Sequence, residues 1–195
     1  MPKVSNEHKQ RRREEILEAA QRVFARHGYE GATVRRLEEE TGLSRGAIFS
    51  YFDDKDALFV AVVAESSDRL VGIWLERGFR ALLDALAKED PDWLSVQFEA
   101  ARRIRTDPRF GEQVSKLERD VSGQREDRFA RLRPTVRDDV PIEAVAQFLS
   151  LIANGLAFAR VTGDELPDLD VLNTLVETGA QPRRKAQPTR ASPKG

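Results

Sequence analysis

Four adjacent residues, Ser44, Arg45, Gly46 and Ala47, have the types and order needed to meet a nucleic-acid groove from the first turn of a helix. An arginine fork there matches the edge of a guanine, where a bidentate pair discriminates by roughly 1–3 kcal/mol; glycine and alanine leave room for close approach or for a thymine methyl. Phe49 and Ser50 follow one turn on. Thr33 and Lys55 stand at the starts of two flanking helices, where free N–H groups, a hydroxyl and an ammonium favour phosphate oxygens, and Tyr51 adds a phenol. Arg35 and Arg36 extend from the helix that Thr33 opens. The same residues have plainer uses: Thr33 and Ser44 as helix caps, Phe49 and Phe52 as core.

A second constellation lies further on. The stripe Phe110, Val114, Leu117, Val121 continues at helical spacing through Arg125, Arg128 and Leu132, which puts two guanidinium groups on an apolar face. An unpaired buried charge there costs several kcal/mol, so Arg128 needs a protein carboxylate, an anionic ligand or a watered cavity. Catalytic groupings are missing. The chain has no cysteine and only His8 and His27, neither placed to share a metal, and no Gly-rich phosphate loop or Ser/His/Asp grouping occurs. These absences predict a binding protein and not an enzyme.

The elements that position these residues are helices. Proline is absent from residues 3 to 90 and then recurs at 91, 108, 134, 141 and 167, while apolar residues recur at three- and four-residue spacing nearly throughout. The pattern predicts an all-α chain with helices over 14–27, 34–40, 45–52, from 55 to about 75, 79–87, from Pro91 onward, 108–132, 141–161 and 167–179. Two short helices joined by Gly42-Leu43 have the proportions of a helix-turn-helix. With Lys+Arg 32 against Asp+Glu 33, the net charge of −1 excludes nonspecific coating of nucleic acid, so any such contact must come from local placement. No uninterrupted apolar run reaches the roughly 18 residues of a membrane span, and no signal peptide is visible, which predicts a cytoplasmic protein with no membrane partner. The organisation reads as a flexible basic arm over 1–12, a helix-turn-helix domain over 13–54, a helical ligand-binding and dimerisation domain over 55–180 and a disordered basic tail over 181–195. The arm is placed either to reach a minor groove or simply to solubilise.

Residues 28 to 59, with Gly28-Tyr29, Ala32-Thr33-Val34-Arg35, Gly42-Leu43-Ser44-Arg45-Gly46, the aromatic run ending at Phe52, and Lys55 followed by Leu58, resemble the N-terminal domain of the TetR family of bacterial transcriptional regulators. The resemblance implies a repressor that reads a double-stranded DNA operator as a homodimer, paired through helices 141–161 and 167–179, and is controlled by a small effector. The later stretches Trp93-Leu94-Ser95-Val96, Ile104 to Phe110 and Asp139 to Glu143 are similar to a citrate-responsive branch of that family in actinobacteria, which controls aconitase genes. That likeness implies an anionic effector, citrate with Mg²⁺, with Arg128 on the citrate carboxylates and Glu177 as the metal ligand. An ordinary Arg128–Glu177 ion pair, or one between Arg125 and an acid, is the alternative, as is a DNA-binding dimer without a ligand.

Overall fold

Side-chain oxygens set the starts of most helices. The computed structural model describes residues 6–116 and 139–180; among them lie α1 (Asn6–Gly31), α2 (Val34–Thr41), α3 (Arg45–Ile48), α4 (Lys55–Arg77), α5 (Phe79–Lys88), α6 (Pro91–Thr106), α7 (108–116 as described), α8 (Ile142–Thr162) and α9 (Leu169–Ala180), with no strand. The chain is all-α. The hydroxyls of Thr33 and Ser44 accept from the N–H groups of Arg36 and Ala47, both at 3.4 Å, and the carboxylates of Asp54 and Asp90 accept from Ala57 at 2.7 Å and Asp92 at 3.0 Å. Each bond satisfies an N–H that the helix itself leaves unpaired. α2 stops where Gly42 takes a left-handed φ of 67° and returns its N–H to Glu38.

Several boundaries differ from the sequence pattern. α1 begins at Asn6 rather than residue 14, so Arg11–Arg13 and the second half of the expected flexible arm are helical. This stretch has no apolar period, but it is held by pairs one turn apart, Gln10 to Glu14 at 2.9 Å and Arg12 to Glu15 at 2.7 Å. Gly28, at φ 65° and ψ 176°, breaks the helix at the expected stop, and one more turn follows. α3 ends at Ile48 instead of running to Phe52. The Ser50 hydroxyl donates to the Ala47 carbonyl at 2.7 Å and the Tyr51 N–H to the Ile48 carbonyl at 3.1 Å, a turn that leaves Phe52 buried. α4 passes unbroken through Gly72 and stops at Gly78. The seventh helix beyond residue 116, with Arg125 and Arg128, and the tail from 181 lie outside the described residues.

Two apolar cores result among the described residues. The first joins Ile16, Leu17, Ala20 and Phe24 of α1, Leu37 of α2, Ile48 of α3, Leu58, Phe59 and Val62 of α4, Trp93 and Val96 of α6, and Phe110 of α7. The second joins Phe79, Leu82, Leu83 and Leu86 of α5 to Leu149 and Leu156 of α8 and Val176 of α9, with Leu70 and Trp74 of α4 against it. α4 therefore belongs to both cores. Where they meet, the buried Ser66 hydroxyl takes the Trp93 indole N–H at 3.1 Å.

α8 corrects one expectation. Glu143–Thr162 has a mean hydropathy of 1.5 and is long enough to cross a membrane by length and composition, although only 24% of that window is buried. Counting uninterrupted apolar runs misses it because Gln147, Ser150 and Asn154 divide the run. Its apolar residues occupy two faces. Val145, Leu149 and Leu156 pack inward, whereas Phe148, Leu151 and Phe158 are exposed, as are Val171 and Leu175 of α9.

Candidate nucleic-acid interface

α2, the turn at Gly42–Leu43 and α3 form one exposed edge, because Leu37 and Ile48 anchor the opposite side of both helices in the first core. Ser44, Arg45, Gly46 and Ser50 are exposed on it, with Ala47, Phe49 and Tyr51 half-buried behind. Phe49 and Tyr51 pack against the core, so their rings set the posture of the edge. Thr33, Arg35 and Arg36 are also exposed.

Acidic residues nearby are occupied by neighbours. The Glu38 carboxylate accepts from the backbone N–H of Arg45 at 2.6 Å, fixing α3 to α2 while leaving the Arg45 side chain exposed. Glu39 pairs with Arg35 at 2.9 Å, and Glu40 takes Arg22 at 2.7 Å and Arg26 at 2.9 Å. The hydrogen bond from Arg22 leads in holding the Glu40 carboxyl below its ordinary range. Two of the expected phosphate ligands have internal duties as well. Arg36 donates to the Gly31 carbonyl at 2.5 Å, and the Lys55 ammonium donates to the Tyr29 carbonyl at 3.0 Å while lying 4.1 Å from the centre of the Tyr29 ring. An ammonium has three N–H donors, which leaves others for a phosphate.

Tyr29 is the residue that sequence reasoning left without a role. Its hydroxyl donates to Asp56, and burial, followed by that hydrogen bond, pushes its phenol up from 10.0 to about 12. The neutral phenol is thus favoured by the fold. Its contribution to stability is complete below pH 10 and is lost as pH rises through about 12. Alkaline unfolding should therefore steepen above pH 10 in the wild type and less so in Tyr29→Phe; superimposable thermal midpoints from pH 9 to 12 would refute the assignment.

In the other half of the chain, a cavity of about 180 Å³ opens between α4, α5, α6 and α8. Leucines, Trp74 and Ala153 form most of its wall, Ser67, Gln97, Ser150 and Asn154 supply polar groups, and none of its described lining residues is charged. The Gln97 amide nitrogen is buried there without a hydrogen-bond partner among the described residues. The volume is below the roughly 300–1,000 Å³ of pockets for drug-sized ligands, so it suits a small metabolite. Glu177 is exposed on α9 beside the buried Val176, and its expected partner Arg128 lies outside the described residues.

Residues 16–62 match the bacterial regulatory proteins of the tetR family. Along nearly its whole length the chain is also similar to the HTH-type transcriptional repressor Rv1474c of Mycobacterium tuberculosis, 40% identical over 93% of this chain and 99% of that one. It belongs to the TetR family. The HTH-type transcriptional repressor AcnR of Corynebacterium diphtheriae is 41% identical over 97% of this chain and 100% of its own. Among solved structures, Salmonella enterica GusR superposes with a TM-score of 0.63 at 19% identity, covering 91% of this chain and 98% of that one, a likeness of fold. As a TetR-family member the chain is a DNA-binding transcriptional regulator and not an enzyme, and the α2–turn–α3 edge is its helix-turn-helix.

Proposed function

We propose that this protein is a cytoplasmic TetR-type repressor that binds a two-fold operator as a homodimer and releases it when a small effector binds. The observation that carries the reading is the exposed Ser44–Arg45–Gly46 edge on a chain whose α8 and α9 leave Phe148, Leu151, Val171 and Leu175 uncovered. A dimer covers that apolar face and presents two reading edges to two half-sites, so that each edge needs only modest affinity. Base reading is assigned to Arg45, with Ser44, Gly46, Ala47, Phe49 and Ser50 shaping the approach; Thr33, Arg35, Arg36, Tyr51 and Lys55 hold the backbone. Arg45→Ala should flatten preference at one operator position, at a cost of roughly 1–3 kcal/mol on the preferred sequence. Lys55→Ala should weaken all sequences alike and lower the salt slope by about one. Selection from a random DNA library followed by titrations at several salt concentrations checks both, and equal effects from the two variants would refute the division of roles.

For the effector we propose citrate with Mg²⁺, Arg128 taking citrate carboxylates bidentately and Glu177 holding the metal directly or through water, with aconitase or related central-metabolism genes as targets. Similarity to repressors named AcnR supports this reading. A hundredfold loss of operator affinity requires about 2.7 kcal/mol of preference for the nonbinding state, within reach of one charged contact and some repacking. Millimolar citrate with MgCl₂ should raise the thermal midpoint and weaken operator binding, and Arg128→Ala should remove both effects; no shift in the wild type would overturn the assignment. The uncharged cavity lining favours a second reading, a neutral effector hydrogen-bonded to Gln97 and Asn154. In that case citrate is inert and Ala153→Trp, which fills the cavity, abolishes induction by the true effector.

A further inference from the structure

α6 carries two working surfaces. Leu94 and Gln97 line the cavity, and further along the same helix Glu99 and Arg103 reach the helix-turn-helix domain. Glu99 accepts the backbone N–H of Tyr29 at 3.2 Å, at the residue directly after the break at Gly28. The Arg103 side chain is only 14% exposed. Its guanidinium lies 3.8 Å from the centre of the Tyr29 ring and 4.5 Å from that of Phe110, and its nitrogens bond Asp56 at 3.1 Å and Asp107 at 3.0 Å. Tyr29 belongs to the end of α1, Asp56 to the first turn of α4, and Asp107 and Phe110 to the start of α7, so one planar cation joins four elements.

We infer that Arg103 is a positioning residue for operator binding: it fixes the angle at which α6 holds the helix-turn-helix domain. From Arg103 the contact passes to Tyr29, four residues before the Thr33 cap, and to Asp56, at the root of α4. An ion pair serving stability alone needs no planar group. Here the guanidinium lies over two rings while its nitrogens bond two carboxylates, a combination of planar stacking and paired donors that lysine cannot reproduce.

The inference requires only DNA binding by the chain; neither a dimer nor a particular effector is assumed. Since the protein has no cysteine, Glu39→Cys on α2 and Glu76→Cys on α4, both at exposed positions, give a clean pair for a donor and an acceptor dye, diluted into unlabelled protein so that only distances within one chain are read. Arg103→Lys and Arg103→Ala are compared with the wild type for this distance distribution, for operator affinity without effector and for thermal midpoint. The expected result is a broadened distribution and an operator affinity reduced at least tenfold in Arg103→Lys, at a midpoint close to wild type. An unchanged distribution with unchanged affinity overturns the inference. A lowered midpoint with a distribution as narrow as wild type also overturns it, since that is the mark of a stabilising ion pair and nothing more. Should Arg103→Ala fail to fold, Arg103→Lys alone decides.

Discussion

Replacing Leu151 with glutamate is expected to leave a folded monomer that has lost operator binding by at least two orders of magnitude. Leu151 is 71% exposed at the centre of a stripe on α8, with Phe148 one turn before it and Phe158 two turns after, and Gly155 between them carries no side chain to hold a partner helix away. Leu175 and Val171 continue the stripe on α9. Each such side chain contributes roughly 1.5–3 kcal/mol when it leaves water, and the proposed two-fold contact counts every one twice. A glutamate within the proposed contact would be a desolvated, unpaired charge and reverse the balance. Because the face is already solvent-exposed within one chain, the substitution does not touch the intramolecular core of Val145, Leu149 and Leu156. Loss of the second half-site then removes the roughly 10²–10⁴-fold gain that linked binding supplies. Sedimentation velocity and operator titration read the two effects together. A variant that remains dimeric, or a monomer that binds the operator as well as wild type, would refute the proposed assembly.

The features legible in the sequence are those with a local cause. Thr33, Ser44, Asp54 and Asp90 cap helices through bonds two or three residues away, and Gly28, Gly42 and Gly78 mark ends because they take positive φ. The exposed edge of α2, the turn and α3 was visible for the same reason, being a contiguous run between two caps. α1 was underestimated because its first turns are polar on every side and give no apolar period, and α3 was overestimated because its aromatic run suggests a helix that the Ser50 hydroxyl turns aside. What stayed hidden is what depends on distant partners. Asp56 and Arg103 are 47 positions apart and Tyr29 and Glu99 are 70, and nothing in the local pattern of either pair announces the other. The outward face of α8 is a related case: Phe148 looks like core by its spacing from Val145 and Ile152, and only the arrangement of α5 and α9 shows that the inward positions are already taken.

Phe59→Ala is expected to be the most damaging single substitution in the helix-turn-helix half, at about 3–5 kcal/mol of stability. The ring is fully buried, meeting Phe24 edge-on at 4.8 Å and Tyr29 at 5.0 Å between centroids, with Phe110 at 5.9 Å. Its removal opens a void that α1, α4 and α7 share, and the aromatic pairs themselves add roughly 0.5–1.5 kcal/mol each to the loss. Against a total of about 5–15 kcal/mol for a natural domain, much of the variant would be unfolded or loosened on this side. Phe59→Leu, which refills most of the volume, should cost markedly less. Denaturant unfolding followed by tryptophan fluorescence measures this, since Trp93 lies in the same core. A midpoint equal to wild type for Phe59→Ala would mean that the three helices do not pack around this ring. The comparison also separates two kinds of damage. Phe59→Ala should lower operator affinity in proportion to the fraction unfolded, whereas loss of the Arg103 clasp should lower it in protein that remains folded, because one acts on whether the helices pack and the other on the angle at which they are held.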